Sequence, residues 1–117
     1  MKTLRPFVGC ADFAVSKSFY SAMGFEEVVI SPDISLFQIP GGLAFYLQDA
    51  YVKDWVDNTM LFLEVDDLDK HHADTMGLNL PSQFKGVRVS GIRTEDWGRE
   101  YFIHDPSGVL WHVGTFV

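Results

Sequence analysis

The sequence predicts an α+β fold: two tandem β-α-β-β-β modules in one domain, forming a curved mixed sheet around a cleft. Three observations predict it. A chain of 117 residues fits one domain and leaves little room for two independent cores. Short β-prone apolar runs surround two stretches of helical spacing, each opened by an aspartate and closed by a glycine. The order of elements also recurs. Asp12-Phe13 matches Asp67-Leu68, and the turn Pro40-Gly41-Gly42 matches Asp105-Pro106-Ser107-Gly108. A duplicated unit of this kind curls, because each twisted sheet buries one face and leaves the other concave. The concave face is where a ligand would sit.

The elements follow in order. Leu4 to Cys10 is an apolar strand. Asp12 stands at a helix cap; Ser16, Phe19, Tyr20 and Met23 follow at helical spacing, and Gly24 ends the run. Phe25 to Ile30, Ile34 to Ile39 and Leu43 to Gln48 are strands, separated by Ser31-Pro32-Asp33 and Pro40-Gly41-Gly42. The first module spans about 1–49. A polar linker, 50–57, carries Lys53 and Asp54 on one amphipathic turn. The second module spans 58–117. In it Thr59 to Val65 is a strand, Asp66-Asp67 caps a helix to about Met76, and Gly77 stops it. Leu78 to Gly86 is a loop. Val87 to Arg93, Tyr101 to His104 and Val109 to Phe116 are strands, with turns at Glu95-Asp96-Trp97-Gly98 and Asp105-Pro106-Ser107-Gly108.

Composition narrows the function classes. Aromatics reach 15%, more than a small core needs, which points to rings lining a cleft or an interface. The net charge of -7 argues against nucleic acid as a partner and would suit a cationic ligand. Cys10 is the one cysteine, so no intrachain disulfide and no cysteine-based zinc site can form. It reads as a packed thiol. The start of the chain shows no signal peptide, and no stretch approaches the roughly 20 apolar residues of a membrane span. The expectation is a cytoplasmic protein with no membrane partner.

Trp97-Gly98-Arg99-Glu100-Tyr101, followed by Asp105-Pro106-Ser107-Gly108, resembles the WGREF-x-x-x-DP-x-G signature of bleomycin-resistance proteins. Asp12-Phe13, Ser16, Phe19-Tyr20 and Gly24-Phe25 are similar to the first helix motif of the wider glyoxalase/bleomycin-resistance/dioxygenase group, the vicinal oxygen chelate superfamily. Asp57-Asn58-Thr59-Met60 and Val65-Asp66-Asp67-Leu68-Asp69 are similar to the start of its second module. The resemblance covers nearly the whole chain. It implies a homodimer with ligand sites at the subunit boundary, and Pro6 stands where those proteins exchange a first strand between subunits.

Metal-dependent members of that superfamily carry four ligands facing the cleft. The matching positions here are Arg5, Tyr46, Met60 and His112. A divalent ion wants imidazole or carboxylate, arginine would repel it, and a thioether is a weak ligand for zinc, nickel or iron. One good donor of four predicts no metal and no cofactor.

Strand alternation then builds the cleft wall. With Met60 facing inward, so do Phe62 and Glu64; with Tyr46, Gln48; with His112, Leu110. The candidate ligand-binding residues are therefore Tyr46, Gln48, Met60, Phe62, Glu64, Trp97, Leu110 and His112. By the resemblance Trp97 stacks on the ligand; buried at a dimer interface is the other reading, and the two are compatible. His112 is either a packed histidine or a polar handle in the cleft. His71-His72 read as solvated surface groups, and, by the resemblance, Arg99-Glu100 as a structural pair with a salt bridge at the strand entry. No catalytic residues are assigned. The leading expectation is a metal-free protein that sequesters a small ligand, by resemblance of the bleomycin type. The alternatives are a metal-dependent glyoxalase I-like lyase or dioxygenase, and a metal-free enzyme using Tyr46, His112 or Glu64 as acid or base.

Overall fold

In the computed structural model, which describes Met1 to Val117, the first module begins with strand β1 (Phe7–Gly9) and helix α1 (Phe13–Ala22). Strands β2 (Glu26–Ser31), β3 (Ile34–Ile39) and β4 (Leu43–Gln48) complete it. Asp12 caps α1, its Oδ1 accepting from Val15 N at 3.2 Å. Gly24 turns the chain out of the helix at φ +90°, where a side chain would be strained. These strands form a sheet ordered β1-β4-β3-β2, with β1 parallel to β4 and the remaining pairs antiparallel.

Helix α2 (Lys53–Asp57) crosses to the second module, where β5 (Met60–Glu64) precedes α3 (Leu68–Gly77). A short α4 (Leu80–Gln83) follows, then β6 (Arg88–Val89), β7 (Arg93–Glu95), β8 (Gly98–His104) and β9 (Leu110–Phe116). The second sheet runs β5-β9-β8-β6, with β7 also on β8. Its path repeats the first sheet's, down to the parallel pair β5·β9. The result is the mixed α+β architecture read from the sequence, with two sheets and few helices.

Three local expectations are corrected. The stretch expected as one strand from Val87 to Arg93 is broken into β6 and β7. Ser90 Oγ accepts from Phe102 N at 2.8 Å, and a side chain thereby takes over a ladder bond. In the second module the helix ends at Gly77, but that glycine does not itself turn the chain. Asn79 makes the left-handed turn instead, at φ 55°. The expected loop beyond it holds α4, with Pro81 in its first turn, where the missing N–H costs nothing.

The core lies between the helices and the inner faces of both sheets. Phe45 and Leu47 of β4 point inward, as do Tyr101, Ile103, Trp111 and Val113 of β8 and β9. Tyr20, Phe25, Phe37, Phe45 and Trp111 pack with ring centroids 5.0–6.3 Å apart, joining the two modules through one aromatic cluster. Burying each such ring contributes roughly 1.5–3 kcal/mol. Polar groups thread through it. Tyr20 OH donates to Asp105 Oδ2 at 2.6 Å and accepts from Trp111 Nε1 at 3.0 Å. Asp105 Oδ1 takes the backbone N–H groups of Ser107, Gly108 and Val109, each at 2.9 Å. Asp105 is fully buried, and burial pushes its carboxyl pKa upward against the pull of these donors.

Candidate ligand site on the second sheet

The outer face of the second sheet follows from register. Phe62 pairs with His112, and His112 with Phe102, so Met60, Phe62, His112, Glu100, Phe102 and His104 share one face. No helix covers it. Met60 is 64% exposed and Phe62 45%, unusual for an unpartnered stretch of sheet. Met60, Leu61, Phe62, Trp97, Glu100 and His112 line an open cavity of about 360 Å³.

The wall is aromatic. The Phe62 ring lies 5.8 Å from Trp97, 5.6 Å from Phe116 and 6.3 Å from His112, the last two nearly parallel. Phe102 meets His112 edge-on at 5.1 Å, and the Arg93 guanidinium sits 5.8 Å from the Phe102 ring. Beneath the rings, Glu100 is only 8% exposed and bonds His112 Nδ1 through Oε1 at 2.8 Å. Gly114 makes this packing possible. A Cβ there would meet Phe62 Cζ at 2.8 Å and Glu100 Cβ at 3.3 Å.

The structure brings four of the eight candidate residues to this cavity: Met60, Phe62, Trp97 and His112. Leu110 shares their face as the partner of Met60, but stands outside the cavity. Glu64 lies at the far end of β5, on a second cavity of about 430 Å³ with Asp66, His71, Phe25 and Leu63. Tyr46 and Gln48 belong to the first sheet. Tyr46 stacks on Phe7 at 4.8 Å and accepts from Arg5 Nη1 at 3.1 Å. Gln48 borders a small cavity of about 220 Å³ beside Phe7 and Trp55. Within one chain, then, the eight do not form a single site.

Glu100 is the residue sequence reading missed here. The expected Arg99–Glu100 pair does not form, because neighbours on a strand point to opposite faces. Arg99 instead grips Asp69 of α3 through two bonds of 3.0 and 2.9 Å. The signal was its parity with Phe102, usable only once the β8–β9 register is known. His71 and His72 are likewise not free surface groups. His71 Nδ1 lies 2.6 Å from Tyr101 OH, and His72 Nε2 donates to Ser90 O at 2.9 Å.

The four positions matching superfamily metal ligands do not make a metal site. Arg5 and Tyr46 are bonded to each other on the first sheet; Met60 and His112 stand on the second. A guanidinium, a phenol and a thioether beside one imidazole do not fit a divalent ion, and no three histidine, cysteine or carboxylate side chains gather anywhere in the chain to hold one.

No protein-family model and no curated protein matches the sequence. Solved structures do match its fold. A bleomycin-binding protein from Streptomyces verticillus, complexed with copper(II)-bleomycin, superposes with a TM-score of 0.79 at 20% identity, covering 100% of this chain and 99% of that one. An antibiotic-binding protein from a Streptomyces species gives 0.75 at 22%, covering 100% and 98%. Lactoylglutathione lyase from Agrobacterium tumefaciens gives 0.72 at 17%, covering 98% and 94%. These are proteins of the vicinal oxygen chelate superfamily, whose fold this chain shares. That fold serves binding proteins and enzymes alike.

Proposed function

We propose that the chain is a small-ligand binding protein of the bleomycin-resistance type, holding a flat, drug-like aromatic molecule against the second sheet. The carrying observation is the uncovered ring wall of Phe62, Trp97 and His112 around the 360 Å³ cavity. Such a surface gains by stacking on another ring. The first sheet also leaves apolar side chains exposed, among them Phe7, Val28 and Ile30. A second copy that laid its first sheet over the second sheet of its partner would cover both faces. It would also bring Tyr46 and Gln48 to the far side of the cavity, so the reading includes a homodimer. The acidic charge of the chain argues against nucleic acid as a partner, and no helix is long and apolar enough to cross a membrane. The binder is preferred to a lyase because the donor set does not suit a metal.

Copper(II)-bleomycin is the first probe. Titration should quench tryptophan fluorescence with a Kd near or below about 1 μM, and the Trp97→Phe variant should lose most of that response. No change at saturating drug would reject the drug assignment. Turnover of the methylglyoxal–glutathione adduct would reject the binder. Light scattering should give twice the 13.2 kDa chain mass.

A further inference from the structure

His112 makes one hydrogen bond within the chain, from Nδ1 to Glu100. No buried polar side-chain atom lacks a partner, so its uncommitted Nε2 reaches solvent, and the ring lines the cavity. A carboxylate only accepts hydrogen bonds. A neutral imidazole facing it must therefore carry its proton on Nδ1, which leaves the Nε2 lone pair for the cavity. The other side chains of the cavity wall are apolar or donate: those of Met60, Leu61 and Phe62 carry no oxygen or nitrogen, and the Trp97 indole is a donor only. Glu100 has almost no exposure of its own through which to reach a ligand.

We propose that Glu100 is a positioning residue that holds His112 in the Nδ1–H form, and that this makes the cavity selective for flat aromatics that donate a hydrogen bond. Phenols and N–H heteroaromatics are the ligand class. A ring presenting only acceptors can take a bond from the Trp97 indole but leaves the Nε2 lone pair unmet. The inference rests on the ligand-site reading of this face, and its test separates the two.

Long-range ¹⁵N–¹H spectra at pH 8.5, above the ordinary imidazole range, report which nitrogen of His112 carries the proton. Indole and benzofuran, alike in shape but differing in the N–H, are then titrated while the signals of His112 and Phe62 are followed. The expected result is the Nδ1–H form, with indole binding about tenfold tighter than benzofuran. Glu100→Met should move the proton to Nε2 and erase that preference. Should that variant not fold, His112→Phe keeps the ring stack and should bind both probes equally. An Nε2–H form in the unaltered protein, or binding of both probes without preference, overturns the proposal alone. No shift of the cavity signals with either probe overturns the ligand-site reading and the selectivity with it, whichever tautomer is found.

Discussion

Replacing Tyr20 by Phe removes one oxygen from the middle of the molecule and keeps the ring. That oxygen donates to Asp105 Oδ2 at 2.6 Å and accepts from Trp111 Nε1 at 3.0 Å, and both partners are buried. The substitution leaves a carboxyl oxygen and an indole N–H without partners where water cannot reach. A bond to a charged group contributes about 1.5–3 kcal/mol, and an orphaned neutral donor costs about 1–3 kcal/mol. Because the two losses share one site, about 3–5 kcal/mol in total is expected. At roughly 4 °C per kcal/mol for a chain of this size, Tm should fall by about 12–20 °C. Urea unfolding followed by far-ultraviolet circular dichroism measures it, with the midpoint moving and the slope unchanged. Asp105→Asn is the control. It keeps the Oδ1 contacts to three backbone N–H groups, and its amide can donate to the Tyr20 oxygen, so a smaller loss of about 1–2 kcal/mol is expected. A Tyr20→Phe loss below about 1 kcal/mol would refute the claim that this oxygen ties the two modules together.

The site and the core offer further tests. Gly114→Ala pushes a methyl into Phe62, the Arg99 carbonyl and Glu100, so it should cost about 1–3 kcal/mol and weaken ligand binding; unchanged affinity would show that Phe62 is not held as described. The Cys10 thiol is pushed up to about 12 by burial, with nearby Asp49 adding to it, so a thiol reagent at neutral pH should label it only as fast as the protein opens. Prompt stoichiometric labelling would contradict its burial. Burial also holds His71 below its ordinary 6.5, so the unfolded chain takes that proton first as pH falls. This contribution to stability is complete above pH 6.5 and is lost as pH falls through the lowered value. The His71→Gln variant should show a flatter decline just below pH 6.5, and parallel curves would refute the assignment.

Much of the architecture was legible because it is written locally. Asp12 and Asp67 cap helices through bonds to Val15 and Lys70, three residues on; strand alternation put Phe62 on the face of Met60, and the family resemblance put His112 there with them. What escaped depends on contacts made at a distance. The break between β6 and β7 follows from Ser90 reaching across to Phe102. The partners of His71 and His72 exist only once α3 has docked on β8 and on Ser90, just beyond β6. The Glu100–His112 bond needs the β8–β9 register, which no spacing within either strand specifies. The placement of Tyr46 and Gln48 away from the cavity is a matter of how two sheets are set in space, and residue patterns carry little about that.

The shared aromatic cluster has a consequence for how the chain can be divided. Tyr20 and Phe45 come from the first half and Trp111 from the second, and Ser107 Oγ accepts from Ala11 N at 2.9 Å across the same seam. Cleaved within α2, each half would carry an exposed hemisphere of rings and an unsatisfied polar thread. Such fragments should be sticky and unstructured apart, yet able to rebuild the whole when mixed, because each holds the template the other lacks. The seam thus makes this small protein a natural split reporter, one whose reassembly would switch on a buried tryptophan signal from Trp111.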